Sequence, residues 1–151
     1  MITFRKITRD NYDKVAELHP GEENLKYIPP NWMIMLSAHY MTNCLEMKAI
    51  YNNGTLIGFF MLSSEIRPIY IEYFMIDKKY QNQGLGNLCI EKLIKYIKNN
   101  YIVNSIYIST SNPIAFNLYK KYDFKKLTNK MADKYANRYN EFLLIYTFKK
   151  I

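Results

Sequence analysis

A chain of 151 residues with a net charge of +8 and an apolar fraction of 49% is long enough for one packed core and too apolar for a disordered polymer. Two cysteines, Cys44 and Cys89, are too few for a disulfide scaffold and fit reduced thiols. Met1 to Lys14, broken by Arg5, Lys6, Arg9 and Asp10, does not read as a signal peptide, and no run approaches the ~20 apolar residues of a membrane span. The expectation is a cytoplasmic protein without a membrane partner.

No repeat, low-complexity tract or Gly/Ser linker divides the chain, so residues 1–151 read as one domain. Ile2 to Ile7 alternates like a strand, and Asp10 is placed to cap a short helix running to Leu18, closed by His19-Pro20-Gly21. Asn31 to Tyr40, after Pro29-Pro30, reads as a second helix. Leu45 to Tyr51 and Thr55 to Leu62 flank Asn52-Asn53-Gly54, a hairpin signal because Asn-Gly accepts the positive φ of a tight turn. Ile69 to Ile76 is a further strand.

Gly84 to Lys98 is the clearest helix, with Leu85, Leu88, Cys89, Leu93 and Ile97 on one face. Ser105 to Ser109 reads as a strand. Pro113 to Tyr122 reads as a helix capped by Asn112, with proline at its first position. Phe124 to Lys130 and Glu141 to Phe148 look like closing strands. This order implies an α/β (α+β) fold, a mixed sheet with helices packed on it.

The informative junction lies between strand and helix. Gln81-Asn82-Gln83-Gly84-Leu85-Gly86 opens the helix after Ile76, and two of only 5 glycines stand at its start. Unpaired first-turn amides, the helix dipole, and the upstream Lys78 and Lys79 suit a phosphate-bearing ligand. No Gly-Lys-Ser/Thr follows, so the segment is not a P-loop. It also lacks the third glycine of the dinucleotide fingerprint.

Gln81-x-x-Gly84-x-Gly86 resembles the Gln/Arg-x-x-Gly-x-Gly/Ala signature of the GCN5-related N-acetyltransferase (GNAT) superfamily. A second block, Asn112-Pro113-Ile114-Ala115-Phe116-Asn117-Leu118-Tyr119, continues to Asp123-Phe124 and is similar to that family's Asn-x-x-Ala-x-x-Leu-Tyr-x-x-x-Gly-Phe segment. Asp123 departs from the usual glycine; if the site needs φ > 0, Asp tolerates it better than most residues. The resemblance spans essentially the whole chain. It implies a mostly antiparallel sheet of about seven strands flanked by about four helices, with acetyl-CoA as co-substrate.

The resemblance also implies site residues. Backbone at Phe74, Met75 and Ile76 would hold the pantetheine, and Gln81, Asn82, Gln83, Gly84, Leu85, Gly86 and Asn87 the diphosphate. Asn112 and Asn117 would contact the cofactor. Tyr119 resembles the family's general acid, whose phenol can protonate a departing thiolate. An amine of pKa about 10.4 is neutral in only about one molecule in 2,500 at pH 7, so a base helps, and Glu72 stands where many family members supply one. His19 and His39 lack triad-like surroundings, and no Cys/His cluster suggests a metal.

The acceptor is less legible. Leu18 to Trp32 is similar to the bacterial spermine/spermidine acetyltransferase-like branch, where Glu22 and Glu23 could meet a polycation and Tyr27 and Trp32 its aliphatic stem. A small-molecule amine, foremost a polyamine, is therefore expected. Peptide N-termini, aminoglycosides, amino acids and a non-catalytic acetyl-CoA sensor stay open. The basic residues come in pairs such as Lys120-Lys121 rather than in a dense block, which points away from nucleic acid. The resemblance also implies a homodimer, since the closing strands often mediate dimers in that family and Glu141 to Phe148 is apolar enough to do so.

Overall fold

The computed structural model describes residues 1–64 and 68–149. Its strands are β1 (Ile2–Lys6), β2 (Cys44–Asn52), β3 (Thr55–Ser63), β4 (Ile69–Ile76), β5 (Ser105–Thr110), β6 (Lys125–Lys126) and β7 (Phe142–Thr147). They form one seven-stranded sheet in the order β1-β2-β3-β4-β5-β7-β6. Among the described residues only the β4–β5 pair is parallel. Five α-helices accompany it: α1 (Tyr12–Glu17), α2 (Asn31–Tyr40), α3 (Leu85–Asn100), α4 (Pro113–Lys121) and α5 (Lys130–Tyr139).

Alternation along β3 divides the core. Phe60 and Leu62 join a cluster with Cys89, Ile90, Leu93 and Ile97 of α3. Phe59 and Met61 point the other way, into a cluster with Val15 of α1 and Ala38 of α2. Successive side chains of a strand leave opposite faces, so helices cover both sides of the sheet. Tyr73 pins the second layer: its hydroxyl shares its one proton between the Pro29 carbonyl at 2.7 Å and Asn31 Oδ1 at 2.8 Å. Fully buried Asn31 in turn donates to the Val15 carbonyl at 2.8 Å. Each buried polar group there has a partner, as burial without one is costly.

Local signals place most elements. Asn53 (φ 49°) and Gly54 (φ 83°) are both left-handed, as the β2–β3 hairpin turn requires. Asn112 Oδ1 accepts from the Ile114 amide at 2.9 Å and caps α4. Several boundaries differ from the sequence reading. Asn11, not Asp10, stands at the cap position of α1, with its Oδ1 accepting from the Thr8 amide at 2.7 Å. Leu88 of α3 is 53% exposed, and Ile90 and Ile94 complete the buried stripe instead.

The strand expected over Phe124 to Lys130 shortens to Lys125–Lys126, and α5 follows where no element was foreseen. Asn129 caps α5 by accepting from the Ala132 amide at 2.8 Å, and Asn140 (φ 54°) ends it. β7 lies between β5 and β6 and is paired on both sides at Leu144 and Ile145. Its apolar sequence therefore serves the sheet interior rather than requiring a second copy of the chain. Among the described residues no helix is long and apolar enough to cross a membrane.

Candidate active site

The parallel pair creates the site. β4 and β5 pair only from Ile69–Ile71 against Ile106–Ile108; β4 then runs on to Ile76 and β5 to Thr110. Past this fork the strands part, and a cleft of about 500 Å³ opens between them, lined by residues 71–76 of β4 and 108–110 of β5. Residues Phe74, Met75 and Ile76 meet Phe60, Phe59 and Gly58 of β3 on one side but have no β5 partner on the other. The cleft edge of β4 is left open to a ligand with amide groups. Such crevices at the C-terminal ends of parallel strands are preferred ligand sites.

The floor of the cleft is the start of α3. Gly84 is left-handed (φ 75°), a conformation disfavoured for a side chain with Cβ. At Gly86 an added Cβ would have only Leu118 nearby, at 3.7 Å. Protein packing does not demand a glycine there, and the free space belongs to the cleft. The first-turn amides of α3 have no carbonyl one turn earlier, and Leu88 is the first to bond back, to Gly84 O at 3.3 Å. Free amides, a helix N-terminus and an empty Gly86 side fit a diphosphate.

The wall is the segment before α2. Gln81 Nε2 donates to the carbonyls of Pro20 and Ile76, both at 2.8 Å. Buried Asp77 accepts from the amides of His19 and Lys79, each at 2.9 Å. Asn112 Nδ2 donates to Asn24 Oδ1 at 3.1 Å. Gln81 and Asn112 thus clamp the wall to the loop and to α4 while lining the cleft. The charges differ from the sequence reading. Lys78 Nζ pairs with Glu23, so neither is a free charge for phosphate or polycation. Glu22 lies 3.4 Å from His19 Nε2 and outside the cleft lining.

Of the remaining expected residues, Asn82, Gly84, Gly86, Asn87, Tyr27, Glu72 and Tyr119 line the cleft. Gln83, Leu85, Asn117 and Trp32 do not. Gln83 bonds the Lys79 carbonyl at 2.9 Å, Leu85 is a core residue, Asn117 is exposed on α4, and Trp32 is 54% exposed on α2. A second, open groove of about 860 Å³ between α3, α4 and β7 contains none of the expected site residues.

At the fork sit the groups able to do chemistry. Tyr119 is 5% exposed and lines the cleft. Burial, with Glu141 nearby, holds its phenol well above the ordinary range, hence protonated. Among the described residues its hydroxyl has no hydrogen-bond partner. Glu72, the first β4 residue beyond the fork, accepts from fully buried Ser63 Oγ. Opposite, Ser109 Oγ donates to Glu141 Oε2 at 2.7 Å and lies 3.0 Å from the Tyr135 hydroxyl. Ser109, Tyr135 and Glu141 escaped the sequence reading because α5 did. Asn129 as a cap, Asn140 as a stop and the helical spacing of Met131, Ala132, Tyr135, Ala136 and Tyr139 were the signals available.

The sequence and the fold resemble those of known proteins. The chain is 27% identical to the spermine/spermidine N(1)-acetyltransferase of Bacillus subtilis strain 168, over 82% of this chain and 88% of that protein. Its fold is that of a GNAT family acetyltransferase from Elizabethkingia anophelis with acetyl-CoA bound. The TM-score is 0.65 at 22% identity, covering 97% of this chain and 98% of that one. It is also that of the PaiA N-acetyltransferase of Thermoplasma acidophilum in complex with coenzyme A. There the TM-score is 0.66 at 15% identity, covering 98% and 99%. The acetyltransferase (GNAT) family model matches residues 4–124, and the chain belongs to that family.

Proposed function

We propose that this protein transfers the acetyl group of acetyl-CoA to a primary amine, with a polyamine as the foremost acceptor. The observation that carries the reading is the fork itself. An open strand edge, a glycine-started helix and a buried, unpartnered phenol meet in one cleft. Phe74 to Ile76 offer backbone to the pantetheine arm, and the α3 amides from Gly84 to Asn87 take the diphosphate. The polyamine acceptor draws support from the Bacillus relative and from the carboxylates at the fork.

Glu72 acts as base. The acceptor arrives as an ammonium ion and must lose a proton before it can attack the thioester carbonyl; a carboxylate beside it, directly or through water, takes that proton. Tyr119 stabilises the leaving thiolate. The sequence reading gave it outright proton transfer, but a phenol held above its ordinary range gives up its proton to a thiolate (thiol pKa near 8.5) only uphill. Held protonated, it donates a hydrogen bond to the sulfur as charge develops there, and the same contact is the route by which the proton reaches the thiolate.

Thiol release from acetyl-CoA with a panel of amines tests this function. Tyr119→Phe is expected to lower kcat by about 100-fold while leaving acetyl-CoA binding in place. Glu72→Gln is expected to be most defective near pH 7. Its deficit shrinks as pH rises towards 10, because the free amine fraction grows without help. Stabilisation by acetyl-CoA with no turnover on any amine would overturn the enzymatic reading, and a Glu72→Gln deficit independent of pH would remove Glu72 as base.

A further inference from the structure

The cleft is lined by three carboxylates, Glu23, Glu72 and Glu141, and they are not equivalent. Glu23 is neutralised by Lys78. Glu72 and Glu141 have no Lys, Arg or His partner among the described residues. The two stand on opposite lips of the fork. Glu72 follows Ile71, the last β4 residue paired to β5. Glu141 precedes β7, whose Leu143 and Phe142 pair with Ser109 and Thr110 just beyond the fork on the β5 side.

Glu141 is also aimed. It is half-buried, and Ser109 Oγ fixes one carboxylate oxygen from below at 2.7 Å, with Tyr135 of α5 behind the serine at 3.0 Å. That leaves its other oxygen for a cationic donor. Tyr119, a residue more than nine-tenths buried whose hydroxyl has no partner among the described residues, lines the same cleft, with Glu141 close enough to bear on its phenol. An ammonium group set against a half-buried carboxylate already fixed by a hydroxyl makes a charge-assisted hydrogen bond stronger than a neutral one.

We infer that Glu141, held by Ser109, is a second ammonium anchor facing Glu72, so that the cleft selects acceptors carrying two cationic nitrogens. One nitrogen reacts beside Glu72 while the other rests on Glu141. The inference deepens the reading of this cleft as an amine site and depends on it. It assigns the recognition of a dication to the fork and to α5–β7 rather than to Glu22 and Glu23 of the wall.

The test compares kcat/KM for diamines and their monoamine isosteres, putrescine against pentylamine and cadaverine against hexylamine, using the full chain. Wild type is expected to favour each diamine. Glu141→Gln keeps an oxygen acceptor for Ser109 but removes the charge, and it is expected to reduce the diamine-to-monoamine ratio by about tenfold, chiefly through KM. Ser109→Ala frees the carboxylate to swing and is expected to reduce the ratio in the same direction. A fall of less than threefold for Glu141→Gln overturns the anchor. So does an equal loss of kcat on both amines, which marks a purely structural role. Absence of turnover on every amine is a different failure, since it removes the acetyl-transfer reading beneath the proposal.

Discussion

Asp123 shows how one backbone angle reaches the reacting groups. Its φ is 65°. The Phe124 amide bonds back to the Tyr119 carbonyl at 3.1 Å and the Asp123 amide to that of Lys120 at 3.2 Å. These are the two hydrogen bonds of a Schellman stop, and the Phe124 and Tyr119 rings, 5.8 Å apart, supply its apolar contact. The end of α4 therefore sets the height of the phenol in the cleft. Asp123→Gly is expected to raise stability by up to about 1 kcal/mol, and Asp123→Val to lower it by about 1–2 kcal/mol, read from denaturant midpoints. The left-handed site was legible because a glycine commonly stands there in the family that the segment resembles. The pairing of Glu23 with Lys78 was not, because the two lie 55 positions apart and only the folded wall brings them together.

At the scale of elements, legibility followed burial. α3 announces itself by its buried stripe, whereas α5, KMADKYANRY, buries only Ala132. Its Met131, Ala132, Tyr135, Ala136 and Tyr139 do fall at helical spacing between the caps Asn129 and Asn140, but a stripe of small and tyrosyl residues in a polar segment stands out less than that of α3. That is why the Glu141 side of the cleft stayed hidden while the Gly84 side did not. The partnership of β3 and β4 has a subtler basis. A Cβ at Gly58 would lie 2.4 Å from the Met75 carbonyl oxygen, so glycine is what lets β3 approach the strand that forms one lip of the cleft. Gly58→Ala is expected to cost about 1–3 kcal/mol and to weaken acetyl-CoA binding, since relief of the clash moves Met75. Thermal unfolding and cofactor titration check both effects, and a variant with unchanged stability would show that the strands part freely.

For the whole molecule, the buried thiol and phenols give stability a defined alkaline profile. Burial pushes Cys89 up to about 12, and raises Tyr73, Tyr101 and Tyr119 above the ordinary tyrosine range. Cys44 is raised as well, first by burial and then by Glu72 and Glu46. In the unfolded chain a thiol ionises near pH 8.5 and a phenol near 10. Above those values the unfolded state has released protons that the folded state still holds, so stability falls as pH rises. The contribution is fully present at pH 7 to 8, begins to be lost near 8.5 through the thiols, and is lost faster above 10 through the phenols. Lysines keep their charge until about pH 10, so between 8.5 and 10 relief of the +8 repulsion does not mask the slope. Guanidinium midpoints taken from pH 7 to 11 are expected to be flat and then to decline, and Cys89→Ala is expected to flatten the segment between 8.5 and 10. A midpoint that rises across that segment would mean that Cys89 ionises more easily in the folded core than in the open chain, against its complete burial on the core face of α3.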